Sequence, residues 1–113
     1  FNDSLNNWDV RKVANMDRMM QGAIAYSYPL NNWQIPLVTN MTNFMYNSDP
    51  LYLTIAFSKQ NYSDFLISLA AQTVKPNVPL RVNQYYSPAA AAARTVLTST
   101  PNNWTIVDLG VQP

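Results

Sequence analysis

Every acidic side chain in this sequence is an Asp, at positions 3, 9, 17, 49, 64 and 108. Paired carboxylates are the usual machinery of acid–base catalysis. Asp9 and Asp17 fall eight residues apart in one segment, but the matching segment downstream carries Gln34 and Thr42 in their places. They read as solvated surface, and Asp108, beside a strand end, reads as a turn residue. There is no His and no Cys, so the commonest general base, the thiolate nucleophile and the commonest metal ligands are all missing. A nucleophilic triad would have to use Lys or Asp as its base. Two glycines in the whole chain leave no phosphate-cradling loop. The expected class is non-enzymatic, with no cofactor and no metal.

Other polar signals point to surfaces. Four glycosylation sequons begin at Asn2, Asn40, Asn61 and Asn103. Asn2 and Asn61 are the positions at which a glycan would be tolerated, because Asn40 is expected inside the packed structure. Seven tyrosines include Tyr28, Tyr85 and Tyr86, whose neighbours suit either a contact surface or partial burial against Pro- and Asn-rich loops. Net charge is +1 with 12% charged residues, and no basic stripe suggests nucleic acid. No apolar run is long enough to span a bilayer. The 113 residues suit one domain, and the apolar half of the composition suffices for a modest core.

The elements that would position these groups come from an internal repeat. "LNNWDVRKVANMDRMM", residues 5–20, returns as "LNNWQIPLVTNMTNFM", residues 30–45, with eight of sixteen positions identical at a spacing of 25. That period is the length of one coil of a leucine-rich-type solenoid. Trp8 to Val10 and Trp33 to Ile35 alternate apolar and polar residues, which predicts a short strand in each coil. Met16, Met19 and Met20 fall at i, i+3 and i+4, which predicts a short helix with Asn15 as its N-cap and Gly22 as its C-cap. A single coil is too small to bury its own Trp and Met, so stacking is expected to put Trp8 against Trp33 and Met16 against Met41. The predicted core comprises Leu5, Trp8, Val10, Val13, Met16 and Met20 from the first coil. Leu30, Trp33, Ile35, Val38, Met41 and Met45 come from the second. Asn15 and Asn40 are expected to bond loop backbone within the stack.

After residue 50 the repeat dissolves. Leu51, Leu53 and Ile55 alternate as a third strand. Tyr62, Phe65, Leu66 and Leu69 share a helix face, with Asn61 and Asp64 as a capping pair. "VPLRVN" predicts a strand through Leu80 and Val82. "SPAAAAARTVLTS" predicts a helix with Ser87 as N-cap and Pro88 at N1, ended by Pro101. A last strand runs from Trp104 to Val107. Phe65, Leu66, Leu69, Trp104 and Ile106 complete the predicted core. "NNW" at 102–104 reads as a diverged echo of the repeat. Strands alternating with helices imply parallel pairing. The predicted fold is α/β, a leucine-rich-repeat-like solenoid with short parallel strands. Residues 1–50 form two coils, and residues 51–113 form an αβαβ cap within the same domain.

The first 23 residues resemble the repeat of BspA-like, mycoplasma-lipoprotein-type surface proteins. Phe1, Asn2, Leu5, Trp8, Val10, Val13, Met16, Met19 and Ala23 match its pattern, and Met20 replaces the usual Phe. The second coil is looser, with Tyr26 for Phe, Ser27 for Asn, Ile35 for Val, and Pro36 inside the turn. The resemblance implies a surface or extracellular location, and adhesion or protein contact as the role; it carries no catalytic residues. The coil begins in phase at Phe1, so its outer face is expected to meet a partner. That partner is either upstream coils of the same chain or neighbouring copies. Host-surface protein or glycan would be the external ligand. The alternative role is a structural subunit of an extracellular filament, virion or phage appendage that stacks head to tail.

Overall fold

A computed structural model of the chain describes residues 4–21, 25–46 and 55–112. Its elements are β1 (Met41–Met45), α1 (Lys59–Ala70), β2 (Pro79–Val82), a 3-10 turn (Pro88–Ala90), α2 (Ala91–Thr98) and β3 (Thr105–Val107). The architecture is mixed α/β. The three strands form one parallel sheet in the order β1-β2-β3, and the two helices pack against each other.

Local chemistry explains each element after residue 55. In α1, Tyr62, Phe65, Leu66 and Leu69 sit on one face and are buried. The helix starts one turn earlier than Asn61 and Asp64 suggest. Ser58 is the N-cap, its Oγ accepting from the Asn61 N–H at 3.0 Å, while Asp64 accepts from the Gln60 side chain at 2.9 Å. Satisfying a first-turn amide favours Ser at that position. Ser87 does precede Pro88, but the first turn is 3-10, and the Ser87 side chain makes no capping bond. Proline supplies the fixed φ of a helix start and lacks the N–H that would need a cap. In β2, Leu80 and Val82 point into the core, as period-two alternation requires.

The two matching segments are tied to each other at an offset close to their spacing. Met16 N–H donates to the Asn40 carbonyl at 2.7 Å, Thr39 N–H to Ala14 at 2.8 Å, and Met20 N–H to Phe44 at 2.9 Å. Asn15 and Asn40 form a parallel bridge. Asn32 N–H donates to the Asn6 side chain at 2.8 Å. The Trp33 indole donates to the Leu5 carbonyl, also at 2.8 Å. Buried peptide groups are therefore paired between segments.

The local conformations differ from the sequence reading in three places. Residues 8–10 and 33–35 are not strands. The stretch from Trp33 to Ile35 bonds to a side chain instead. Gln72 Oε1 accepts from Ile35 N–H at 2.8 Å, and its Nε2 donates to the Trp33 carbonyl at 3.0 Å. One amide stands where a neighbouring peptide would be. Residues 17–21 are turns rather than a helix, and the equivalent stretch of the second segment is β1. The helical spacing of Met41, Phe44 and Met45 arises because the pairing is irregular. Met41 lies opposite Leu80 and Met45 opposite Val82, so four steps along β1 match two along β2. Such a bulge breaks alternation and lets residues at i, i+3 and i+4 all face inward. Gly22, Leu51 and Leu53 lie outside the described residues, and Ile55 is not in a strand.

The core runs through both halves. Leu5, Val10, Met16, Met20, Leu30, Trp33, Ile35, Val38, Met41, Met45, Phe65, Leu66, Leu69 and Trp104 are buried, and Val13 and Ile106 are half-buried against them. An aromatic chain links the segments to α1: Trp33 meets Phe44 edge-on at 6.1 Å, Phe44 stacks on Phe65 at 5.8 Å, and Phe65 meets Phe57 at 6.4 Å. Trp8 is the correction. It does not stack on Trp33 but is 55% exposed. The described residues bury one face of its segment against the second, and Trp8 stands clear of that contact.

Candidate interaction surface

The face around Trp8 is built by the loop that precedes the Asn15 bridge. Trp8 N–H closes a turn onto the Leu5 carbonyl at 3.0 Å, the same turn that buried Trp33 makes onto Leu30, but the Trp8 indole is exposed. Behind it, Arg11 clasps Asp9 through two bonds of 2.9 Å. The side-chain and backbone hydrogen bonds from Arg11 hold the Asp9 carboxyl at about 2, below the ordinary carboxylate value. A shallow cavity of about 270 Å³ lies between Trp8, Arg11, Asn32 and Gln34. A second, of about 320 Å³, shares Gln34 and continues to Asp64, Ile67 and Gln72 of the α1 side. Their lining mixes amide, hydroxyl and apolar groups with the charged Asp9, Arg11 and Asp64.

The Asn15 and Asn40 side chains serve their own loops. Asn15 Oδ1 accepts from Asp17 N–H at 2.8 Å and Asn40 Oδ1 from Thr42 N–H at 3.0 Å, while their backbones make the bridge between segments. Asp17 is not merely solvated, since it accepts from Asn43 N–H at 3.1 Å across the same boundary. Asn61 is half-buried and donates to the Ser27 carbonyl at 2.8 Å, which counts against a glycan there; Asn2 lies outside the described residues. Tyr28 is exposed, and Tyr85 and Tyr86 are half-buried.

Asp108 is the residue that sequence reasoning placed least well. It does sit in the bend that follows β3, but it is also a hub, and its side chain is 2% exposed. It accepts from the Tyr62 hydroxyl at 2.7 Å, from Arg94 Nε at 3.0 Å and from Gly110 N–H at 3.0 Å. Arg94 also donates to the Ile106 carbonyl at 3.1 Å. Burial opposes charge on Arg94, yet the hydrogen bond and attraction of Asp108 carry its pKa above the ordinary guanidinium value. Burial, then the Asp108 charge and hydrogen bond, push the Tyr62 hydroxyl well above the usual tyrosine value. With a longer bond from the second Arg94 nitrogen at 3.5 Å, these contacts fasten α1, α2 and the end of β3 together. An Arg fourteen residues before an Asp, across an expected helix and strand, was the one available signal. Gln72 and Gln84 were also missed. Gln84 donates to the Phe57 carbonyl at 2.9 Å, and no spacing rule marks an amide as a backbone surrogate.

Among the described residues no group of three or more His, Cys, Asp or Glu could hold a metal ion, and no helix is long and apolar enough to cross a membrane. The sequence matches none of the curated proteins, and the fold matches none of the solved structures. A family model described as a Mycoplasma protein of unknown function, DUF285, matches residues 1–66, which span both repeated segments and the first two thirds of α1. With more than half of its length matched, the chain belongs to the DUF285 family.

Proposed function

We propose that this chain is a non-enzymatic contact module of a surface or extracellular protein, acting in adhesion or protein–protein recognition. In this reading residues 1–50 are two coils of a leucine-rich-like solenoid of BspA type, and residues 51–113 close it as a cap. The observation that carries the reading is the set of hydrogen bonds between the two segments at offsets of 24 to 26 residues, Met16 to Asn40, Thr39 to Ala14 and Asn43 to Asp17 among them. Such bonding is how a stack of equal coils satisfies its backbone while sharing one core. Family membership is consistent with it. The ligand surface is the amide-rich face around Trp8 and Gln34, and a protein or glycan of a host surface is its partner.

The test is binding of the labelled 113-residue chain to arrays of extracellular-matrix proteins and of glycans. Saturable binding that weakens when Gln34→Ala and Arg11→Ala are combined supports the reading. Absence of binding on both arrays, together with turnover of any small substrate, overturns it.

A second reading has an observation of its own. Apolar side chains are exposed on Trp8 of the first segment and on Val107 and Val111 in and just after β3. That suits a structural subunit of a filament, virion or phage appendage, built by stacking copies.

A further inference from the structure

The larger of the two cavities lies between the chain's own layers. One wall is the stretch from Asn31 to Gln34, which the first segment backs. Asn6 Nδ2 donates to Asn31 Oδ1 at 3.1 Å, and the Trp33 indole to the Leu5 carbonyl at 2.8 Å. The other wall is α1, where Asp64, Ile67, Ser68 and Ala71 recur at i, i+3, i+4 and i+7, a stripe beside the buried face. Two sets of bonds tie the walls together. Ser68 Oγ donates to the Asn31 carbonyl at 2.8 Å, and the Gln72 amide holds the Trp33 carbonyl and the Ile35 N–H. The groove is therefore fixed before anything enters it, which lowers the cost of binding. Its volume of about 320 Å³ is at the small end of ligand sites.

Several polar groups on these walls are not used by the fold. Gln34 is exposed, and its amide bonds to no described residue. At the matching place in the first segment Asp9 is clasped by Arg11, but Pro36 stands where a second Arg would. Asn31 gives its Oδ1 to Asn6 and keeps both Nδ2 hydrogens. Asp64 accepts from Gln60 on Oδ1, which leaves Oδ2 open. Ile67, 44% exposed, adds an apolar patch on the same stripe of α1.

These groups select a class of ligand. The lining carries one carboxylate and no cation, so it repels an anion. An ammonium group would use only the acceptors and leave the Asn31 and Gln34 N–H groups unmatched. A sugar hydroxyl both donates and accepts. Neighbouring hydroxyls can donate to Asp64 Oδ2 and Gln34 Oε1 while accepting from Asn31 Nδ2 and Gln34 Nε2, and the C–H face of the ring suits Ile67. We propose that this groove binds one uncharged hexose unit of a glycan. The inference rests on the contact-module reading above and names the ligand class within it.

Titration of the isotope-labelled full chain with the methyl glycosides of glucose, galactose, mannose and N-acetylglucosamine tests it, followed by amide chemical shifts. At least one glycoside is expected to saturate with a Kd of about 1–10 mM, the weak end of specific association. It is expected to move the side-chain NH2 signals of Asn31 and Gln34 and the backbone signals from Asp64 to Ala71. Added salt is expected to leave the affinity unchanged, since an uncharged ligand has no charge to screen. Asp64→Ala removes a charged acceptor and is expected to weaken binding by about tenfold or more. Circular dichroism should stay the same, because the one bond of that side chain is to a neighbour on the helix surface. Spectra unmoved by all four glycosides overturn the proposal. So do shifts that cluster away from the groove, or an affinity that survives Asp64→Ala. Nα-acetyl-lysine amide moving the same signals where no glycoside does makes the groove an ammonium site and overturns it too. Protein binding on the arrays without any glycoside response refutes the hexose site and leaves the contact module standing; silence in both experiments sinks both.

Discussion

Trp8 and Trp33 occupy the same place in the repeat and should respond to truncation in opposite ways. Trp33 is 0% exposed, meets Phe44 edge-on and holds the Leu5 carbonyl. Trp33→Ala removes a large buried side chain, a change that costs about 3–5 kcal/mol. The edge-on aromatic pair and the stranded Leu5 carbonyl push it toward the upper end of that range. Trp8, 55% exposed, loses little contact, and Trp8→Ala should stay within about 0.5 kcal/mol. For a chain of this size, 1 kcal/mol moves the melting temperature by about 4 °C, so the two variants should differ by some ~12–20 °C. Urea unfolding at low micromolar concentration, followed by far-ultraviolet circular dichroism, measures both free of self-association. The whole domain holds only about 5–15 kcal/mol, so Trp33→Ala can leave the chain unfolded. Trp33→Phe keeps a ring and loses the indole N–H, with an expected cost of about 1–3 kcal/mol. Equal losses for Trp8→Ala and Trp33→Ala, or a loss below about 1 kcal/mol for Trp33→Ala, would refute the layered packing.

Two further predictions concern the fastening cluster. Arg94→Met strips the partner from a buried carboxylate and should cost about 2–3 kcal/mol in urea unfolding. That is below the roughly 3–5 kcal/mol for breaking a fully buried pair, because the Arg94 side chain is 26% exposed. Asp108→Asn removes the buried charge while keeping an acceptor for Tyr62, so it should cost less than Arg94→Met; the reverse order would refute the assignment. Tyr62 is the alkaline weak point. Its pKa is raised in the folded state, so above pH ~10 the unfolded chain has lost a proton that the folded chain still holds. The contribution is fully present below that pH and is lost as pH rises through the folded value. Thermal melts from pH 8 to 11 should therefore fall more steeply for the wild type than for Tyr62→Phe, and identical slopes would exclude Tyr62 as the cause.

Much of the second half was legible because its signals are local. The face of Tyr62, Phe65, Leu66 and Leu69 has a helix period whatever surrounds it, and Leu80 and Val82 alternate about the half-buried Arg81. A proline after serine marks a helix start by its own φ. The 25-residue offset was legible too, since equal segments with rare residues in equal places bond best to each other. What could not be read was conformation within each segment. Apolar residues at i, i+3 and i+4 satisfy either a helix or a bulged strand, and only the neighbour decides. β1 is a strand because β2 lies beside it, and residues 17–21 have no such neighbour on their outer side among the described residues.

The same division separates the three tryptophans and the carboxylates. By itself the sequence determined that Trp8, Trp33 and Trp104 share a motif, that no His or Cys chemistry is open to the chain, and that short parallel strands alternate with helices. The tertiary structure alone decided that Trp33 and Trp104 are buried while Trp8 is not, and that Asp108 meets Tyr62 and Arg94, 46 and 14 residues away. Periodicity reports which side of a local element is apolar. Burial and ion pairing depend on which distant surface arrives to cover that side, and that is a property of the assembled layers.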